Sequence, residues 1–118
     1  MKGVLVIGHG SRAKETEATL ETVLSMVKEQ MPAAIIEYAF MELSERTVDK
    51  GIAALVDQGI TEIKVVPYFL FMGIHLKEDI PQIMAECAAK FPELKVTIGE
   101  PLGADRRLAE ILVDRIEG

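Results

Sequence analysis

Four times along this chain of 118 residues an apolar run gives way to a stretch whose apolar residues recur every three or four positions. Few folds accept that alternation. Two parallel strands need a crossover that carries the chain back, and a helix packed on the sheet supplies it with right-handed sense. Strict strand–helix alternation therefore predicts an α/β fold, a four-stranded parallel sheet with helices on both faces. With no linker, low-complexity segment or shift in composition, residues 1–118 read as a single domain.

The first run, residues 3–8, is apolar almost throughout, as in a strand buried on both faces. Gly8 and Gly10 bracket His9 in the turn that follows, and Ser11 is placed to cap the next helix. That helix aligns Leu20, Val23, Leu24, Val27 and Met31 on one face and ends before Pro32. Ala33 to Phe40 is the second strand, rich in β-favouring side chains. The second helix turns Val48, Ile52, Leu55 and Val56 inward and stops at Gly59. Ile63 to Tyr68 is the third strand. Pro81, after Asp79 and Ile80, is expected in the first turn of the third helix, whose inward residues are Ile80, Ile83, Met84, Cys87 and Phe91. Leu94 to Ile98 is a short fourth strand. Asp105 caps a last helix expected to bury Leu108, Ile111, Leu112 and Ile116. Strands 1 and 3 are the most apolar, which favours the order 2-1-3-4 with those two at the centre.

Composition narrows the function classes. A net charge of −6 without a basic run argues against nucleic acid or an anionic membrane as the main partner. The single cysteine, Cys87, allows no internal disulfide and no thiolate metal cluster, and a reducing, cytoplasmic setting is the default. No apolar run approaches the ~20 residues that span a bilayer, and Met1-Lys2-Gly3 leads into a strand rather than a secretory leader. A mean hydropathy of +0.23 is rich for a small chain and suggests that a partner covers some apolar surface.

Ligands of an open parallel sheet bind beyond the carboxyl ends of its strands, where the strand order reverses. In the order 2-1-3-4 that point lies between strands 1 and 3. His9 stands just past one and His75 just past the other, and the chain has no further histidine. Glu42 follows strand 2 next door. Two imidazoles and a carboxylate suit a borderline divalent ion such as cobalt, nickel, zinc or ferrous iron, with positions left open for a substrate. Singly, each histidine also reads as a loop or capping residue, and Glu42 as a solvated acid. The convergence of both histidines on one sheet edge is what favours function.

Around this trio, Arg12 and Lys77 read either as solvated charges or as cations facing an acidic ligand, and Arg46 has a similar loop-to-helix position. Leu70, Phe71 and Met72 read equally as core packing or as a pocket wall or subunit contact; Tyr68, Phe69 and Cys87 read as core. Gly8-His9-Gly10-Ser11 is suited to hold an anion on backbone amides. It lacks the Lys-Ser/Thr ending of a phosphate loop and the spacing of a dinucleotide fingerprint, so nucleotide binding is not expected.

Taken together these segments resemble the small class II chelatases, the sirohydrochlorin cobaltochelatases of the CbiX type. The matching pieces are Gly8-His9-Gly10-Ser11-Arg12, then Ala39-Phe40-Met41-Glu42-Leu43, then Pro67-Tyr68-Phe69-Leu70 with Gly73-Ile74-His75 and Asp79-Ile80-Pro81. They cover most of the chain in order. The resemblance implies a flavodoxin-like, chelatase-like domain that inserts a divalent metal into sirohydrochlorin, on a route to cobalamin, sirohaem or a nickel tetrapyrrole. It assigns metal binding and catalysis to His9 and His75, with Glu42 assisting. It brings Ser11, Arg12, Gly73 and Lys77, with the wall Leu70, Phe71 and Met72, to the substrate. Cobalt is the favoured metal, with ferrous iron or nickel as alternatives, and no cofactor is expected beyond that substrate ion. Longer members hold two copies of the domain and small ones pair, so the resemblance implies a homodimer or one half of a longer protein. Two further classes stay open: a non-catalytic metal or tetrapyrrole carrier, and a flavin-type binding module. The absence of tryptophan and the short His-Gly-Ser loop speak against the latter.

Overall fold

A computed structural model describes the backbone of residues 1–118 and every side chain except that of His75. The elements run β1 (Lys2–Gly8), α1 (Lys14–Gln30), β2 (Ile36–Phe40), α2 (Val48–Asp57), β3 (Glu62–Pro67), α3 (Ile74–Lys90), β4 (Lys95–Ile98) and α4 (Arg106–Glu117). The four strands form one parallel sheet in the order β2-β1-β3-β4. β1 is paired on both sides, with Ile7 beside Ala39 on one flank and Pro67 on the other. The expected order and the central place of strands 1 and 3 are both observed.

Strand alternation divides the apolar side chains between two faces. Leu5, Ile7, Ile63 and Val65 pack against Ile52 and Leu55 of α2 and against Ile80, Met84 and Cys87 of α3. Val6 and Phe40 turn the other way, onto Leu20 of α1. Each fully buried aliphatic side chain contributes roughly 1.5–3 kcal/mol, so the first cluster dominates stability. Cys87 belongs to it, as expected for a core thiol.

Several boundaries differ from the expectation. β2 starts at Ile36 rather than Ala33, because the chain is still turning there, with the Ala34 N–H bonded to the Met31 carbonyl (3.0 Å). Ala13, not Ser11, is the N-cap of α1; the Ser11 hydroxyl accepts the Ala13 N–H instead (3.1 Å), in a local turn before the helix. α3 begins at Ile74, with Gly73 as an extended N-cap, so Pro81 lies inside the helix rather than opening it. Its ring removes one N–H from the ladder, a cost that the core contacts of Ile80 and Met84 outweigh. His75 consequently sits in a first helical turn instead of a loop.

α4 departs most from expectation. Asp105 caps it as foreseen, accepting the Arg107 N–H (2.9 Å), but no residue of the helix is buried. Ile111, Leu112 and Ile116, expected inward, are exposed. Their spacing makes an apolar stripe, and that stripe does not lie on the sheet of its own chain. Among the described residues no helix is long and apolar enough to cross a membrane.

Candidate metal and substrate site

The backbone ladder between β1 and β2 continues beyond both strands. The Met41 N–H bonds the Gly8 carbonyl (3.0 Å) and the Glu42 N–H bonds the His9 carbonyl (3.1 Å). His9 and Glu42 are thereby set side by side past the carboxyl edge. Gly10 makes this approach possible. Its φ is +111°, and a Cβ there would lie 1.9 Å from the Glu42 carbonyl oxygen, so the two loops touch backbone to backbone where any side chain would intrude.

The result is a direct contact: His9 Nε2 lies 3.0 Å from Glu42 Oε1, with both side chains more than half exposed (58% and 56%). With Nε2–H donating to the carboxylate, the imidazole keeps its lone pair on Nδ1 for a cation or a proton. Phe69, buried just past β3, sets its ring edge-on to His9, with centroids 6.3 Å apart at 84°. Phe69 is core, as read from sequence, and it also backs the imidazole from behind.

The remaining expected residues spread around this pair. His75 is in the first turn of α3, after the central strand β3; its side chain lies outside the described residues. Among the described residues no group of three or more potential metal ligands forms. Ser11 and Arg12 line a cleft of about 370 Å³ together with Phe40, Leu43 and Ser44. Leu70 and Phe71 stand exposed on the β3–α3 loop, Phe71 to 86%, whereas Met72 packs against the core. Gly73 faces open space, and Lys77 is exposed on α3 with its N–H on the Gly73 carbonyl (3.1 Å).

Arg46, placed by sequence beside the cations of this edge, turns away from it. Its guanidinium stacks over the Tyr38 ring at 3.9 Å and reaches Glu37 Oε2 at 3.4 Å. Burial pushes the Tyr38 hydroxyl up, against the opposite pull of Arg46. Neither this clasp nor the Phe69–His9 contact carries a sequence signal beyond residue type, because both depend on how loops return to the sheet.

A four-stranded parallel sheet in this order, with an imidazole and a carboxylate at its carboxyl edge, defines an α/β protein whose polar pair stands at the strand-order switch, where open parallel sheets generally bind ligands. Residues 3–118 match the CbiX family model, and the chain belongs to that family. It is 37% identical over 116 residues to the sirohydrochlorin ferrochelatase of Priestia megaterium, covering 98% of this chain and 44% of that protein. To the sirohydrochlorin cobaltochelatase of Sulfolobus acidocaldarius it is 35% identical over 117 residues, covering 99% and 91%. Among solved structures it is similar to the sirohydrochlorin chelatase SirB from Bacillus subtilis subspecies spizizenii in complex with cobalt. The TM-score is 0.89 at 34% identity, over 98% of this chain and 50% of that one. The chain thus spans about half the length of the bacterial relatives and most of the archaeal one.

Proposed function

We propose that this chain inserts a divalent metal ion into sirohydrochlorin, with cobalt as the favoured ion and ferrous iron as the alternative. The observation that carries the proposal is the His9–Glu42 contact at the carboxyl edge of the sheet. Relatives named as chelatases for either metal support the reaction class. Insertion forms metal–nitrogen bonds in the macrocycle, releases the ion's water ligands and frees two pyrrole protons. An imidazole backed by a carboxylate holds an incoming ion and takes a proton near neutral pH. His75 is proposed as the second imidazole, arriving from the neighbouring strand end. Arg12 and Lys77 offer charge-assisted bonds to the substrate's carboxylates, and Ser11 and Gly73 border its rim. Leu70, Phe71 and Met72 offer apolar surface for the macrocycle. No cofactor enters this scheme beyond the substrate ion.

The acting unit is proposed to be a homodimer of single-domain chains. The uncovered stripe on α4 supports this, since contiguous apolar surface of that kind marks an interface. The test is anaerobic: purified protein is mixed with sirohydrochlorin and cobalt or ferrous ion, and the absorbance change is compared with the enzyme-free rate. Insertion faster than the spontaneous rate and dependent on His9 supports the proposal. Binding of both substrates without acceleration replaces it with a carrier role.

A further inference from the structure

The segment between β2 and α2 does not simply leave the sheet. It folds back along the free edge of β2, where the Phe40 N–H bonds the Arg46 carbonyl (2.8 Å) and Phe40 forms a parallel bridge with Thr47. Within the loop, Leu43 adopts φ +57°, a conformation that costs a non-glycine residue of order 1 kcal/mol and persists only where surroundings impose it. On the β1 side the restraint is the Glu42 N–H on His9. On the other side the visible restraints converge on Arg46: its N–H on the Ser44 hydroxyl (3.0 Å), its guanidinium on the Tyr38 ring, and its Nη2 on Glu37. Gln58, which caps the C-terminus of α2, donates its Nε2–H to the other Glu37 oxygen at 3.3 Å, so the carboxylate is itself held. The Arg46 Nε is buried with no hydrogen-bond partner among the described residues. Burying that donor unpaired is unfavourable, and the ring stack and ion pair hold the guanidinium there nonetheless.

We infer that Arg46 is a positioning residue for Glu42, clamping the strained loop to the outer edge of β2 so that the carboxylate stays on His9. A planar guanidinium is well matched to such a clamp, because one flat group stacks on an aromatic face and binds a carboxylate at its rim, which an ammonium does less well. The inference rests on the reading of His9 and Glu42 as the working pair, and it reaches that pair from a side chain that does not touch the site.

A double-mutant cycle tests it. Arg46→Ala is expected to lower kcat for cobalt insertion about 10–100-fold, the usual effect of losing a group that orients a ligand, with KM for sirohydrochlorin little changed. In a Glu42→Gln background the same substitution is expected to have no further effect. Equal losses in both backgrounds, or wild-type kcat in Arg46→Ala, would overturn the inference. Arg46→Lys is expected to recover only part of the rate, and Glu37→Gln, which leaves the arginine in place, to give a smaller loss of the same kind. Should Arg46→Ala not fold, the same cycle run with Glu37→Gln decides. Cobalt affinity at fixed pH, measured without tetrapyrrole, separates this inference from the chelatase reading. If the wild type shows no insertion but Arg46→Ala still weakens cobalt binding only when Glu42 is present, the clamp stands and the chelatase reading falls.

Discussion

His9 and Glu42 stand 33 positions apart in sequence and meet at 3.0 Å. Nothing local brings them together. The contact follows from two parallel strands paired in register, Gly8 beside Phe40, with two more backbone bonds beyond their ends. Both side chains are largely solvated, so the pair contributes little to folding; exposed ion pairs are generally worth under about 1 kcal/mol. In the function proposed above, the pair presents one imidazole in a fixed direction.

Substituting this pair should therefore affect chemistry and spare the fold. Glu42→Gln keeps a hydrogen-bond acceptor near Nε2 and removes the charge. The insertion rate is expected to fall about 100-fold, in the range of a lost acid–base partner, and His9→Ala to fall further. Thermal melts of both variants should stay within a few degrees of the parent. Normal turnover by His9→Ala would remove the imidazole from the proposed chemistry.

Gly10→Ala should act in the opposite proportion. The added methyl meets the Glu42 carbonyl oxygen at 1.9 Å, and φ +111° disfavours any side chain. Relief requires the two loops to part, at a strain cost of order 1–3 kcal/mol. A drop in melting temperature of about 5 °C for each kcal/mol lost is expected in a domain of this size, together with weaker cobalt binding. Unchanged cobalt affinity would show that the loops can separate without disturbing the pair.

How much of this is legible in the sequence depends on where the information resides. β1 is legible because burial on both faces leaves a near-continuous apolar run, β3 because Ile63, Val65, Val66 and Pro67 stay apolar around a single exposed Lys64, and the placing of His9 and Glu42 then follows from topology. The start of α3 is not, because Pro81 is the strongest local signal for a first turn, while Gly73 caps the helix without a side-chain hydrogen bond. The stripe on α4 is legible as a pattern, but periodicity says only which residues share a face, not what covers it. The Arg46 clasp and the Phe69 contact arise from loops returning to the sheet, which no spacing rule encodes.

Two nearby phenylalanine sites separate packing from substrate contact. Phe69 is 7% exposed and Phe71 86%. Phe69→Ala is expected to cost about 3–5 kcal/mol of stability, as for other buried aromatics, measured by denaturant unfolding. Phe71→Ala should leave stability within about 0.5 kcal/mol and raise KM for sirohydrochlorin. An unchanged KM would remove Phe71 from the substrate wall.

Cys87 gives a prediction that is independent of function. Burial pushes its thiol up from the ordinary value of 9.0, so the native side chain stays neutral and shielded. A thiol reagent should react slowly with the folded protein and at once in denaturant. The unfolded thiol ionises first as pH rises. The stability linked to Cys87 is therefore full below about pH 9 and is lost as pH climbs through the higher folded value. Urea unfolding should show that decline set in as pH rises past about 9, and Cys87→Ser should flatten it.

The apolar stripe of α4 tests the assembly. Leu112 is 63% exposed and Ile116 80%, on a helix with no buried residue. A stable interface generally buries about 800 Å² per partner, centred on apolar side chains. Leu112→Glu places a charge within such a contact and, on a helix that is solvated in the single chain, leaves the sheet and its core untouched. Sedimentation should find the parent as a dimer and the variant as a folded monomer whose melting temperature, unlike the parent's, does not rise with concentration. A monomeric parent would refute the dimer, and an unchanged dimer in the variant would move the interface to another face.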